Sequence, residues 1–122
     1  MATITPVKQS TDGLTGILVY LWETLTSTNT TGVAIRCPQY TDKTVQITGT
    51  FGPGTLTLQG SNVPIPGAND WFTLTDPQGN GIAKTAASGE TVVESPLWIR
   101  PIVSAGDGTT DLDVTILCRA SA

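Results

Sequence analysis

The pattern that recurs along this chain is strict apolar/polar alternation in short runs, each cut off by glycine or proline. In residues 44–51, Val45, Ile47 and Phe51 share one face, with Thr44, Gln46, Thr48 and Thr50 opposite. In residues 55–59, Leu56 and Leu58 alternate with Thr55, Thr57 and Gln59. A period of two is the signature of a half-buried strand. Gly52-Pro53-Gly54 lies between the two runs and predicts a hairpin. Further runs fall at 32–37, 71–75, 91–94, 97–103 and 111–119; residues 82–87 fit no pattern cleanly. Pro101 lies inside the run 97–103, and a residue without an N–H predicts an edge or bent strand there. Eight or nine strands spaced by roughly ten residues predict a sandwich or jelly roll.

Composition supports the same reading. The 122 residues include 22 Thr, 13 Gly and 8 Pro. Threonine is stiff at its branched β-carbon and favours strands over helices. Glycine and proline favour turns. The length suits one domain with its own core. The expected fold is therefore all-β: a single-domain antiparallel β-sandwich or jelly roll over residues 14–122. Residues 1–13, with isolated Ile4 and Val7, read as an extended N-terminal arm.

Residues 17–22 break the alternation. Ile17, Val19 and Leu21 lie on one face, Leu18, Tyr20 and Trp22 on the other. A strand apolar on both sides is central in a sandwich or is covered by a partner.

Several kinds of chemistry are excluded. With no histidine, no Ser-His-Asp or Cys-His machinery and no His-ligated zinc can form. A net charge of −4 with six scattered basic residues disfavours nucleic acid and anionic membranes. The run 17–22 is too short to cross a bilayer, and the N-terminus lacks the pattern of a signal peptide, so a cytoplasmic origin is expected. Asp107, Asp111 and Asp113 lack the spacing of a calcium loop and read as an Asp-Gly turn followed by solvated strand positions. No pair of acids is singled out for glycoside hydrolysis, and no phosphate-cradling loop is present. The chain is expected to be no enzyme and to need no cofactor or metal. Cys37 and Cys118 end alternating apolar runs and read as buried free thiols in preference to a disulfide.

That leaves binding. Tyr20, Trp22 and Trp98 are candidate interface aromatics, because rigid rings give much contact area at little entropic cost. Trp98 should point with Arg100 away from the side of Leu97 and Ile99.

Two stretches carry a resemblance. One runs Thr-Val-Gln-Ile-Thr-Gly-Thr-Phe-Gly from Thr44, then Leu-Thr-Leu-Gln-Gly-Ser-Asn from Leu56 and Asn-Asp-Trp-Phe-Thr-Leu-Thr-Asp-Pro-Gln-Gly-Asn from Asn69. The other runs Glu-Ser-Pro-Leu-Trp-Ile-Arg-Pro-Ile-Val from Glu94, then Gly-Asp-Gly-Thr-Thr-Asp-Leu-Asp-Val-Thr-Ile-Leu from Gly106. Together they resemble the small capsid decoration (cement) proteins of tailed bacteriophages, over about the last two-thirds of the chain. The resemblance implies a jelly roll that docks on the outer surface of an assembled head and bridges neighbouring major capsid protein subunits. It implies a place in the virion after synthesis in the host cytoplasm. In this reading Thr3, Ile4, Thr5, Pro6 and Val7 form an arm that pairs with a sheet edge on a capsid subunit or sister protomer. The two-faced strand suggests a homo-oligomer, a dimer in preference to a trimer. Leu-Gln-Gly-Ser-Asn followed by a loop and Trp is also similar to discoidin-type jelly rolls, some of which bind carbohydrate. That alternative makes Trp71 a sugar platform, although residues 61–70 replace the usual short Ser-Asn-Asp-Gly connection.

Overall fold

The computed structural model describes residues 3–120, and none of them is helical. Met1, Ala2, Ser121 and Ala122, which the expected arm and domain boundaries include, lie outside the described residues. Among the described residues twelve strands form: β1 (Thr3–Ile4), β2 (Val7–Lys8), β3 (Ile17–Thr26), β4 (Thr31–Gly32), β5 (Ile35–Arg36), β6 (Asp42–Thr50), β7 (Thr55–Ser61), β8 (Phe72–Thr73), β9 (Ala83–Lys84), β10 (Ser88–Val92), β11 (Trp98–Ala105) and β12 (Asp111–Arg119). They build a sandwich of two sheets. The first has the order β1-β4-β11-β7-β8, with β5 also beside β11 and β9 beside β7; the second has the order β10-β6-β12-β3-β2. All pairs are antiparallel except β1 with β4.

The core lies between the sheets. Leu56, Leu58, Ile99 and Val103 from the first meet Val45, Ile47, Leu112, Val114 and Ile116 from the second, all buried. On β6 and β12 the polar residues between these positions face outward, as the alternation predicts.

The expected hairpin between residues 44–51 and 55–59 does not form. β6 pairs with β10 and β12, whereas β7 pairs with β11, β8 and β9 in the other sheet. The turn is tight, with Gly52 at positive φ and the Gly54 N–H donating to the Phe51 carbonyl. It carries the chain across the sandwich, so Val45 and Ile47 meet Leu56 and Leu58 face to face. A short Gly-Pro-Gly turn reports a reversal of direction; which sheet the next strand joins depends on where its apolar face finds cover.

Of the edge or bent strand that Pro101 predicts, the edge position is not what β11 takes. It lies between β7 on one flank and β4 and β5 on the other. The Val103 N–H donates to Thr30 on the β4 flank, and backbone groups alternate sides along a strand, so the nitrogen of Pro101 faces that flank too. There the partner ladder is interrupted between Gly32 and Ile35, and no rung needs a donor. The proline ring instead packs on Gly32, where a Cβ would come within 2.7 Å of Pro101 and 2.8 Å of Trp22. The same interruption splits the expected strand at 32–37: Val33 turns outward while Ile35 and Cys37 stay in the core.

β3 carries a bulge. Trp22 pairs with Val114 and Leu25 with Leu112, so Glu23 and Thr24 together oppose Asp113. Thr24 takes a positive φ of 61°, uncommon for a β-branched residue, and its N–H is held by the Asp113 carboxylate at 3.0 Å. The extra residue resets the parity, which lets Trp22 and Leu25 both point inward although they are three positions apart.

Candidate binding faces and a buried polar cluster

The expected arm is extended but does not reach out. Thr3 and Ile4 lie parallel to Thr31 and Gly32 in the first sheet, and the Val33 N–H donates to the Ile4 carbonyl. Val7 and Lys8 pair with Leu21 and Tyr20 in the second, and the Gln9 N–H donates to the Val19 carbonyl. Thr5 and Pro6 therefore connect one sheet to the other. The segment's backbone groups find partners on the chain's own edges, which removes the reason to seek another molecule's. Its side chains still present surface, since Val7 is 56% exposed.

Two of the three interface aromatics are corrected as well. Trp22 is fully buried, its indole N–H donating to the Val33 carbonyl at 2.9 Å. Tyr20 packs against the core. The aromatic side of β3 is the inward side; the outward side is Ile17, Val19 and Leu21, each half-buried. These residues continue across β12 and β6 as Thr115, Leu117, Thr44 and Gln46. Two adjoining open grooves mark this face. One, of about 280 Å³, is lined by Val19, Thr44, Gln46, Thr115, Leu117 and Arg119. The other, of about 390 Å³, shares Thr44, Leu117 and Arg119 and runs toward Val93 on the β10 side.

The outer face of the first sheet is differently built. Trp98 and Arg100 point outward, on the side opposite buried Ile99, and are half-exposed. The Trp98 indole N–H donates to the Pro64 carbonyl, and the Arg36 guanidinium lies 5.7 Å from its ring centre. The Arg100 guanidinium lies 3.9 Å above the Trp71 ring while its Nε–H donates to Gln59 at 3.0 Å. Trp71, the candidate sugar platform, thus has one ring face occupied by a cation from its own chain.

Asp107 accepts hydrogen bonds from the N–H and hydroxyl of Thr109, and the Thr110 hydroxyl donates to the Phe51 carbonyl. The Gly-Asp-Gly-Thr-Thr stretch is a self-closed turn that joins the two sheets. Asp113 is bound to Thr24, as above, and the three acids do not converge.

One feature escaped the sequence reading. Lys43 is 1% exposed, on the inward face of β6 beside Cys118. The alternation does reach it, since it lies two positions before Val45, but a strand begun at Thr44 leaves it out. Its ammonium donates to the Tyr40 carbonyl at 3.0 Å and to the Ser95 hydroxyl at 2.8 Å. Burial pulls its pKa below the ordinary range, opposed by the acidic groups around it, Cys37 foremost. The Cys37 and Cys118 sulfurs are 3.5 Å apart, both thiols free and buried as expected. Glu94, also near Lys43, accepts from the N–H and hydroxyl of Thr75. Burial raises its carboxyl, but these hydrogen bonds and Lys43 outweigh it and hold the group below its ordinary value.

No protein-family model and no curated protein matches this chain. Among solved structures it is similar to the K1 cleaved adhesin domain of Lys-gingipain from Porphyromonas gingivalis, at 13% identity and a TM-score of 0.47, over 96% of this chain and 90% of that one.

Proposed function

We propose that this chain is a capsid decoration protein. It docks on the outer surface of an assembled phage head through the outer face of β3, β12 and β6, and stabilises the shell by bridging neighbouring major capsid subunits. The observation that carries this reading is the makeup of that face. Val19, Leu21 and Leu117 lie half-buried among Thr44, Gln46 and Thr115, with charges toward its rim. Covering such a surface removes apolar area from water and strips few charges of solvent. The sequence resemblance supplies the partner. A protein that binds only the expanded lattice favours that lattice by mass action, and several bridges per shell add avidity. Val7, beside Leu21 on β2, extends the apolar patch, so the N-terminal segment contributes side chains in place of a free arm. A second copy of the chain, as a dimer, is the other partner this face accommodates.

The test is occupancy on empty expanded capsids. Wild-type protein should saturate at a fixed ratio to the major capsid protein, and Leu117→Arg should bind about 100-fold more weakly. Equal occupancy by the variant would remove this face from the reading. Binding to a glycan array, lost on Trp71→Ala, would replace it with the carbohydrate module.

A further inference from the structure

We propose that Cys37 and Cys118 form a redox-responsive pair, which a hydroperoxide converts to a disulfide stapling the two sheets beside Lys43. The placement carries the argument. Cys37 follows β5 on the first sheet and Cys118 lies in β12 of the second, 81 positions apart in the chain, yet their sulfurs stand 3.5 Å from each other. A disulfide needs about 2.0 Å, so the two sulfurs must approach by about 1.5 Å. A core that only needed two small apolar residues has no use for an ammonium next to them. Lys43 is fixed there by Tyr40 and Ser95, directly across the ladder from Cys118. The contact between the two sulfurs, in which either thiol can donate, and then the Lys43 charge favour a thiolate at Cys37 against the effect of burial. Cys37, next to the exposed Pro38 and Gln39, takes the part of the nucleophile, and Cys118, within β12, that of the proton-bearing resolving thiol. The turn after Cys37 is its cover, with Pro38 and Gln39 exposed and Tyr40 half-buried.

The chemistry balances with hydrogen peroxide as the oxidant. The Cys37 thiolate attacks one peroxide oxygen, the O–O bond breaks, and hydroxide leaves with the Cys37 proton as water. The Cys118 sulfur then attacks the Cys37 sulfenic sulfur, and its proton departs with the hydroxyl as a second water. Two thiols lose two electrons to the peroxide. The latch stays open in reducing surroundings and closes in oxidising ones.

The experiment treats the full chain with equimolar hydrogen peroxide. The monomer should lose two hydrogens in mass and yield a Cys37–Cys118 peptide in a non-reducing digest. Its Tm should rise by about 10 °C, a shift that dithiothreitol reverses and Cys118→Ser lacks. Two thiols that remain titratable after denaturation, oxygen addition without a crosslink, or crosslinks only between chains would each overturn the proposal. Lys43 is a positioning residue, so Lys43→Met should slow the reaction severalfold at neutral pH. Should that variant fail to fold, the wild-type pH profile decides the same point. A rate that rises only near the ordinary thiol value of 9.0 rules Lys43 out.

Discussion

The two outer faces of this sandwich are made from similar strands and have been finished in opposite ways. On the first sheet each outward tryptophan is engaged by its own chain: Trp71 lies under Arg100, and Trp98 is tied to Pro64 beside Arg36. Gln59 holds Arg100 in turn. On the second sheet, Val19, Leu21 and Leu117 have threonines and a glutamine as neighbours, and open grooves run between them. A face whose large groups are already stacked and hydrogen-bonded gains less from being covered. A face of half-buried aliphatics gains area without breaking contacts. This difference is the ground on which docking is proposed for the second sheet, although the aromatics that usually signal an interface lie mostly elsewhere.

The sharpest check on that contrast is the strand where both sides are apolar. Trp22→Ala should destabilise the fold by about 3–5 kcal/mol, because it opens a cavity between the sheets and orphans the Val33 carbonyl. Denaturant unfolding measures it. A cost under about 1 kcal/mol would mean that the aromatic side of β3 faces solvent, and the two faces would have to be exchanged.

Next comes Leu117→Arg on the bare face. Capsid affinity should fall by about 100-fold, roughly 2.7 kcal/mol, while unfolding changes by less than about 1 kcal/mol. Trp98→Ala on the other sheet should leave capsid affinity within about threefold. The reverse result, affinity lost at Trp98 and kept at Leu117, breaks the assignment.

Arg100→Met reads the finished face from inside. It removes the stack on Trp71 and the bond to Gln59, and should cost about 1–2 kcal/mol of stability by denaturant unfolding, with capsid occupancy unchanged. A gain in glycan binding by this variant would show that Arg100 masks a sugar platform.

How much of this was legible in the sequence depended on whether the information was local. The alternation in β6, β7 and β12 gave the strands and their inward residues, because a period of two is fixed by backbone geometry. Sheet membership was not local. Gly52-Pro53-Gly54 looks the same whether the next strand pairs with the last or crosses to the opposite layer. The role of Pro101 depended on a gap in β4 and β5, some 65 residues earlier, that no nearby residue announces. The parity of β3 turned on one bulge, and the signal for it, Asp113 reaching the Thr24 N–H, lies 89 positions away. The proposed binding face was half legible. The two-sided strand raised the question of a cover, but two of the aromatics chosen as its anchors, Tyr20 and Trp22, face the core. Lys43 was hidden by its charge, since an inward lysine is rare unless its ammonium finds partners, and Tyr40 and Ser95 come from separate segments.

The smallest expected effect concerns the seam between the two sheets. Glu94 lies between β10 and β11, where the chain passes from the second sheet to the first, and binds Thr75 just beyond β8. Its carboxyl titrates below the ordinary value of 4.5 in the folded chain, so the unfolded chain binds more protons in that window. Its contribution to stability is therefore complete above pH 4.5 and is lost as the pH falls through the lowered folded value. Glu94→Gln should flatten that part of the stability-against-pH curve and leave the neutral limb parallel to wild type. Thr75→Val should flatten it too, since it removes one of the two hydrogen bonds that favour the ionised form. The seam anchors the edge of the first sheet, so acid should loosen β8 and the loop carrying Trp71 before it disturbs β3, β6 and β12. Amide exchange at pH 4 compared with pH 7 measures this: protection should fall first at Leu74 and Thr75. Equal loss at Ile116 would show that the two sheets open as one unit and that acid does not distinguish the finished face from the bare one.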